Sequence, residues 1–325
     1  MDRKYFLGID TSNYKTSIAV VDDNSNIICD TRLFLEVKQG EKGLRQSDAL
    51  FQHVKNLPLL MEEMRSCFSG HISAVSYSSK PRPVEGSYMP VFLAGEGFAR
   101  SIAAALDVPA YAFSHQEGHI EAIKNYSNLK TYDKVLSCHF SGGTTEVLQV
   151  EGNDSGYTID IVGGSDDISL GQVIDRTGVL MGYPFPSGEY LDKIAIETLG
   201  TSNKLTAIKV KGCRFNLSGI DTQIKRLIES NEGDDRLIKE MFDKLSDAVI
   251  KVISQSCEKT GLNAVIMAGG VLSSRYLKSI LEHELSNLGI DTAFDNNGLS
   301  QDNAVGIALL GGKQYGIETN QGITT

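Results

Sequence analysis

Ser114-His115-Gln116-Glu117-Gly118-His119 follows directly on the apolar residues 110–113. Ser114 with Glu117 three residues on is a capping box, so a helix is expected to start here. On that helix His115 and His119 stand at i and i+4, about 5–6 Å apart between Cβ atoms on one face. Two imidazoles so placed can share one transition metal. The plainer alternative is two surface histidines on an ordinary helix, but the chain has only six histidines. A zincin protease would need Glu directly after the first His, as the base beside a metal-bound water. Gln116 stands there, and Glu117 is already explained as a cap. That chemistry is excluded.

Three Gly-rich turns could meet an anion. Ser141-Gly142-Gly143-Thr144-Thr145 lies between two strand-like runs, where glycines let backbone N–H groups come close to a phosphate. Ala268-Gly269-Gly270-Val271 follows an apolar strand and precedes a helix opened by Ser273 and Ser274, an arrangement that suits adenosine or phosphate at a helix N-terminus. Pro184-Phe185-Pro186-Ser187-Gly188 is the third. Glycines also mark most ordinary turns, so each is weak alone and the set is stronger. Near the C-terminus Asp302-Asn303 precedes an apolar helix, where Asp302 reads on residue type as an N-cap.

The elements that must position these residues follow a repeated plan. Residues 5–10, 16–21 and 27–34 read as three strands joined by the turn Thr11-Ser12-Asn13-Tyr14-Lys15 and a polar turn. Residues 134–140, 145–150 and 157–162 repeat the pattern around Ser141–Thr144. Helix patterns alternating with short apolar strands follow each triplet: helices near 43–67 and 90–106 and from His115, with strands 72–77 and 110–113, in the first half. The second half has helices near 234–259, from Ser274 and from Asn303, with strands 264–268 and 292–294. This α/β plan resembles the actin-like ATPase (ribonuclease H-like) superfamily, a duplicated fold whose two lobes hold a nucleotide in a cleft between the paired hairpin turns. On that plan residues 1–128 form lobe I, with a C-terminal helix 303–325 packing back on it, and residues 129–302 form lobe II. The polar stretch 125–132 is the candidate hinge.

The 325 residues carry 31 Lys+Arg against 41 Asp+Glu, a net charge of −10. An acidic chain does not grip nucleic acid by bulk charge, so an RNA ligand would need a local basic face or a partner protein. Residues 203–226 supply such a face, with Lys204, Lys209, Lys211, Arg214, Lys225 and Arg226 against the single acid Asp221. The same stretch also reads as a solvated loop and helix face. No apolar run reaches the roughly 18 residues of a membrane span. A strand-like start with no room for a signal peptide, and five cysteines without a C-x-x-C pair, lead to an expectation of reduced thiols and a cytoplasmic protein.

Taken together, these motifs resemble the tRNA threonylcarbamoyladenosine-forming transferases, a family formerly described as O-sialoglycoprotein endopeptidases. The similarity runs from Gly8-Ile9-Asp10-Thr11-Ser12 through His115–His119, Ser141-Gly142-Gly143 and residues 171–175 to Ala268-Gly269-Gly270-Val271 and Asp302-Asn303. The resemblance implies an iron or zinc ion on His115, His119 and Asp302, which turns Asp302 from a cap into a ligand. It further implies an adenine nucleotide (threonylcarbamoyl-AMP, ATP or AMP) near His139, Phe140, Ser141, Gly142, Gly143, Asp175, Gly188, Gly269, Gly270 and Ser274. On residue type alone Asp175 is a solvated helix acid. The implied partners are tRNA and helper proteins of the same pathway.

Departures from the family pattern are local. Tyr14 and Lys15 replace two acids of the first turn, Thr144 replaces a histidine, Ser274 an asparagine, and Asp221 a lysine. The implied reaction is attack of an adenosine amine of tRNA on the carbamoyl carbon of the adenylate, with AMP leaving. Lys15 is the candidate catalytic residue, a cation able to grip the adenylate phosphate or the substrate carboxylate. Three rival readings remain: a small-molecule carbamoyltransferase using carbamoyl-AMP, a catalytically silent regulatory paralogue, and an ATP phosphotransferase, the last at odds with the metal triad.

Overall fold

The structure, a computed structural model, describes residues 3–12, 14–36, 44–153, 156–295, 298–299 and 302–322. Asn13 of the first turn, and Ser300 and Gln301 ahead of Asp302, lie outside the described residues. The chain divides into two compact units, one of residues 1–130, 152–158 and 295–325 and the other of residues 131–151 and 159–294.

The first unit is built on β1 (Tyr5–Asp10), β2 (Lys15–Asp22), β3 (Ile27–Phe34), β4 (Ile72–Lys80) and β5 (Ala110–Ser114), in the order β3-β2-β1-β4-β5. The meander is antiparallel, with Asp10 opposite Ser17 and Lys15 opposite Phe34, and β4 and β5 join it in parallel. β1 and β2 are buried on both faces, hence their near-continuous apolar runs. Side chains alternate along β1. Leu7 and Ile9 pack with Leu57, Leu60 and Met64 of α1 (Gln46–Cys67) and Ala99 and Ala103 of α2 (Phe92–Leu106). On the opposite face Phe6 meets Val305, Ala308 and Leu309 of α9 (Val305–Asn320). The C-terminal helix therefore returns to the first sheet.

The second unit repeats the scheme with β6 (Lys134–Phe140), β7 (Thr145–Asn153), β8 (Gly156–Ser165), β11 (Ala264–Ala268) and β12 (Asp291–Phe294). Its order is β12-β11-β6-β7-β8, extended by β10 (Arg214–Phe215) and β9 (Val210–Lys211). Read from the parallel edge, the five shared strands run in the same order in both units, so the duplication seen in the sequence is present in the fold. The core of this unit includes Phe140 and, from α7 (Asp235–Thr260), Phe242 and Leu245, all fully buried. Sequence patterning missed β9 and β10, each two residues long. It also passed over α4 (Leu170–Leu180), α5 (Gly188–Glu197) and α6 (Ser218–Glu229), which lie between β8 and α7 within the second repeat.

One expectation is corrected. Cys29 on β3 and Cys67 at the end of α1 are joined by a disulfide, because packing of α1 on the meander brings their Cα atoms to 6.1 Å, within bridging range. Cys138, Cys213 and Cys257 are free thiols. No described helix is long and apolar enough to cross a membrane.

Candidate metal centre and nucleotide-facing turns

α3 (His115–Asn125) begins where the capping box places it. The Ser114 hydroxyl accepts the Glu117 N–H at 3.2 Å, and Glu117 Oε2 accepts the Ser114 N–H at 2.7 Å. Such a cap contributes about 1 kcal/mol and fixes the first turn, on which His115 sits. The i, i+4 spacing then brings the two imidazoles together, with Nε2 atoms 2.9 Å apart. Asp302 arrives from the far end of the chain, its Oδ1 lying 3.4 Å from each of those nitrogens.

Asp302 does not cap α9: the residue at that position is Ala304, whose side chain bonds nothing at the helix start. Asn303 organises the turn instead, donating to the Leu299 carbonyl at 2.7 Å and accepting the Val305 N–H at 2.9 Å. Close contact of α3 with α9 completes the assembly. A Cβ on Gly306 would lie 1.8 Å from the Gly118 carbonyl oxygen. Backbone meets backbone there, which explains Gly306; Gly118, between the two histidines, faces Ile307, whose Cδ1 would lie 2.9 Å from a Cβ at that position.

These three ligand atoms lie within 4.8 Å of one another. Separations near 3 Å suit one ion with bonds of about 2.0–2.2 Å to imidazole and carboxylate. Asp10, absent from the sequence-derived site, supports the set: its Oδ1 lies 2.9 Å from His115 Nδ1, and the Ser12 hydroxyl donates to its Oδ2 at 2.8 Å. A carboxylate behind a ligand histidine orients the ring and raises its basicity. Its position at the end of β1, before a Thr-Ser turn, was the signal that could have found it.

Electrostatics agree with that picture. Burial disfavours charge on His115, yet the Asp10 carboxylate, its hydrogen bond and Asp302 outweigh burial and raise its pKa to about 10. Asp302 is likewise penalised by burial, but hydrogen bonds from His115 and His119 hold it well below the usual carboxylate range. Buried Asp10 and half-buried Asp302 around one imidazole create a strong demand for positive charge.

Lys15 belongs to the same unit. It is buried, its Nζ lies 4.5 Å from the Phe34 ring centroid, and burial lowers its pKa against the pull of Asp302. Behind it, fully buried His53 of α1 holds Thr16, with Nδ1 and Oγ1 2.9 Å apart, and Asn56 donates to the same oxygen at 3.2 Å. Burial pushes the His53 pKa down to about 4. His53 was not among the sequence-derived candidates, since a histidine in an amphipathic helix gives no signal of its own.

The remaining candidates lie in the second unit. Gly142 and Gly143 are exposed, and a Cβ on either would meet nothing within 4 Å, so protein packing does not require glycine there. Their turn is pinned from below, where the Ser169 hydroxyl donates to the Gly142 carbonyl at 2.7 Å. His139 and Phe140 precede it on β6, but the Phe140 side chain is wholly core. Asp175 of α4 accepts the Ser187 N–H at 2.8 Å beside Gly188, and burial raises its pKa despite backbone bonds from Ser187 and Gly188.

Gly269 has φ +104, and a Cβ there would lie 2.3 Å from the Phe140 carbonyl oxygen, so this glycine serves contact with β6. Gly270 faces open space. Ser274 caps α8 (Arg275–Asn287), accepting the Leu277 N–H at 3.1 Å and donating to Asp192 at 2.5 Å. Asp192 also takes the Arg275 and Tyr276 N–H groups at 3.1 and 3.0 Å. The anion at this helix N-terminus is thus a protein carboxylate.

The sequence pattern of the tRNA N6-adenosine threonylcarbamoyltransferases (TsaD) matches residues 37–309. A tRNA N6-adenosine threonylcarbamoyltransferase of Neorickettsia sennetsu (strain ATCC VR-367 / Miyayama) is 27% identical over 319 residues, covering 95% of this chain and 93% of the relative. Among solved structures, full-length HypF in a phosphate- and nucleotide-bound form superposes with a TM-score of 0.62 at 12% identity, over 96% of this chain and 46% of its own. The chain therefore spans about half the length of HypF. A ROK-family glucokinase of Streptomyces griseus, with glucose and AMPPNP, gives a TM-score of 0.53 at 10% identity over 94% and 99% of the two chains. These structural likenesses show the actin-like ATPase and sugar-kinase fold. With the family pattern spanning most of the sequence and its histidine pair standing beside Asp302, the chain belongs to the tRNA N6-adenosine threonylcarbamoyltransferase family.

Proposed function

We propose that this protein transfers a threonylcarbamoyl group from threonylcarbamoyl-AMP to the N6 amine of the adenosine beside the tRNA anticodon. The observation that carries the reading is the convergence of His115, His119 and Asp302 on one point in a chain of this family. The amine nitrogen attacks the carbamoyl carbon, the bond from that carbon to the phosphate oxygen breaks, and AMP leaves while the amine proton passes to solvent. His115, His119 and Asp302 would hold an iron or zinc ion, and the chemistry it supplies is Lewis acidity toward an oxygen of the acyl group.

Asp10 holds the His115 ring in orientation. Lys15, the one cation introduced into the first turn, pairs with the adenylate phosphate or the threonine carboxylate. Amides of Ser141–Gly143 receive the phosphate as negative charge builds on it. Asp175 and Gly188 lie on the ribose side, and Gly269, Gly270 and Ser274 on the adenosine side. Because Ser274 and the α8 amides are engaged with Asp192, the open face of Gly270 is where the adenosine approaches on that side. His139 and Phe140 contribute through their place on β6. Residues 203–226 face tRNA, and helper proteins of the pathway complete the RNA-binding surface.

The test is transfer from threonylcarbamoyl-AMP to bulk tRNA by wild type, His119→Ala and Lys15→Ala, with elemental analysis of each protein. Transfer to tRNA by wild type, loss of metal and activity in His119→Ala, and a tenfold or greater fall in Lys15→Ala are expected. Acylation of a small-molecule pool with none of tRNA would move the assignment to a carbamoyltransferase of small substrates. Equal metal content in wild type and His119→Ala would remove the metal centre.

A further inference from the structure

α3 carries a second i, i+4 pair. Glu117 and Glu121 start two residues after the histidines, which places them about 200° round the helix axis from them. Both carboxylates are buried, Glu121 completely. Glu117 Oε2 takes the Ser114 N–H and hydroxyl, each at 2.7 Å, and its Oε1 takes the Tyr157 N–H at 3.0 Å. Glu121 Oε2 accepts the Tyr157 hydroxyl at 2.6 Å and the Lys313 ammonium at 2.7 Å.

Tyr157 lies at the tip of the β7–β8 hairpin, and residues 152–158 group with the first unit although both strands belong to the second sheet. Burial and the neighbouring Glu121 charge push the Tyr157 phenol up, so it remains a neutral donor. Its neighbour Gly156 has φ +138, and a Cβ there would lie 2.4 Å from Glu117 Oε1. Lys313 sits on α9, the helix that follows Asp302.

Burying two carboxylates on an 11-residue helix is costly, and an apolar face would anchor the helix as well. Polar bonds add direction: they fix the rotation of α3 about its axis and its distance from α9. We propose that Glu117, Glu121 and Tyr157 are positioning residues for the metal centre, holding the helix with two ligands against the helix behind the third and against the hairpin tip. The ligand atoms are then spaced before any ion arrives. This deepens the metal reading and rests on it. Groups that orient metal ligands typically contribute 10–100-fold in affinity.

The experiment is cobalt(II) binding to the full chain, measured by chelator competition and visible absorption, in wild type, Tyr157→Phe and Glu121→Gln. His119→Ala is the ligand-loss reference, and Leu245→Ala, a core variant of the second unit, is the stability reference. Tyr157→Phe and Glu121→Gln are expected to bind cobalt about tenfold more weakly with an altered spectrum. Leu245→Ala should melt earlier with both unchanged. Wild-type affinity and spectrum in both anchor variants overturn the proposal, whatever their melting temperatures. So does an equal affinity loss in Leu245→Ala, which would make the effect one of stability alone. If wild type binds cobalt no better than His119→Ala, the metal reading falls and this proposal falls with it.

Discussion

His53 shows how much one buried titratable side chain contributes. Its pKa near 4 in the folded protein, against an ordinary 6.5, means the unfolded chain binds the extra proton across that interval. Its contribution to stability is therefore fully present above pH 6.5 and is lost as pH falls through 4, a total of about 3 kcal/mol. His53→Asn keeps an acceptor for Thr16 and removes the titration. Urea unfolding at pH 7 and pH 4 should show wild type losing about 3 kcal/mol more than the variant. Equal losses would place the acid sensitivity elsewhere. Of the residues at the candidate centre, His115 and His119 were legible because histidine is rare in this chain and their spacing is set by helix geometry, whereas Asp302 was legible only through the family resemblance. Asp10 and His53 were not, since their roles depend on contacts with residues 105 and 37 positions away.

At the scale of elements, the decisive contact is the crossing of α3 and α9. Each helix presents a glycine to the other, and Gly306→Ala would drive a methyl group into the Gly118 carbonyl. Overpacking of this kind costs about 1–3 kcal/mol, and separating the helices moves Asp302 away from the histidines. Thermal unfolding and elemental analysis of Gly306→Ala should show a lower melting temperature and reduced metal content together. A variant as stable and as metal-loaded as wild type would show that the crossing does not set the site. The capping box, the glycines and the two meanders could be read from local pattern. The short β9–β10 pair could not, because two residues carry no periodicity. Ser274 read correctly as the start of α8, but the partner of that helix start, Asp192, lies 82 residues away on α5.

For the whole molecule, the question is how a chain of charge −10 meets a polyanion. Several cations of the basic stretch are committed: Lys204 pairs with Glu232, Arg214 with Asp166 and Lys225 with Glu229. Asp221, its one acid, is paired with Arg176. Lys209, Lys211 and Arg226 are exposed and form no ion pair among the described residues. If these three meet tRNA phosphates, replacing all three by Ala should reduce the slope of log affinity against log salt by roughly 2. Affinity measured across a salt series checks this, and an unchanged slope would move the RNA face to another surface or to a partner protein.

The sequence by itself determined the local structure: strand and helix periods, the cap of α3, the duplicated meander and the family. Those signals are carried by residues within one or two turns of each other, where backbone geometry links spacing to direction. Tertiary structure decided what the same residues touch. Asp302, a ligand by family resemblance, stands 3.4 Å from both imidazoles because α9 packs on α3 through two glycines. Gly269 became a contact with β6, and Cys29 and Cys67 became a pair because α1 lies over β3. Each outcome depends on close packing between segments far apart in the chain, where a shift of an ångström decides whether two groups meet.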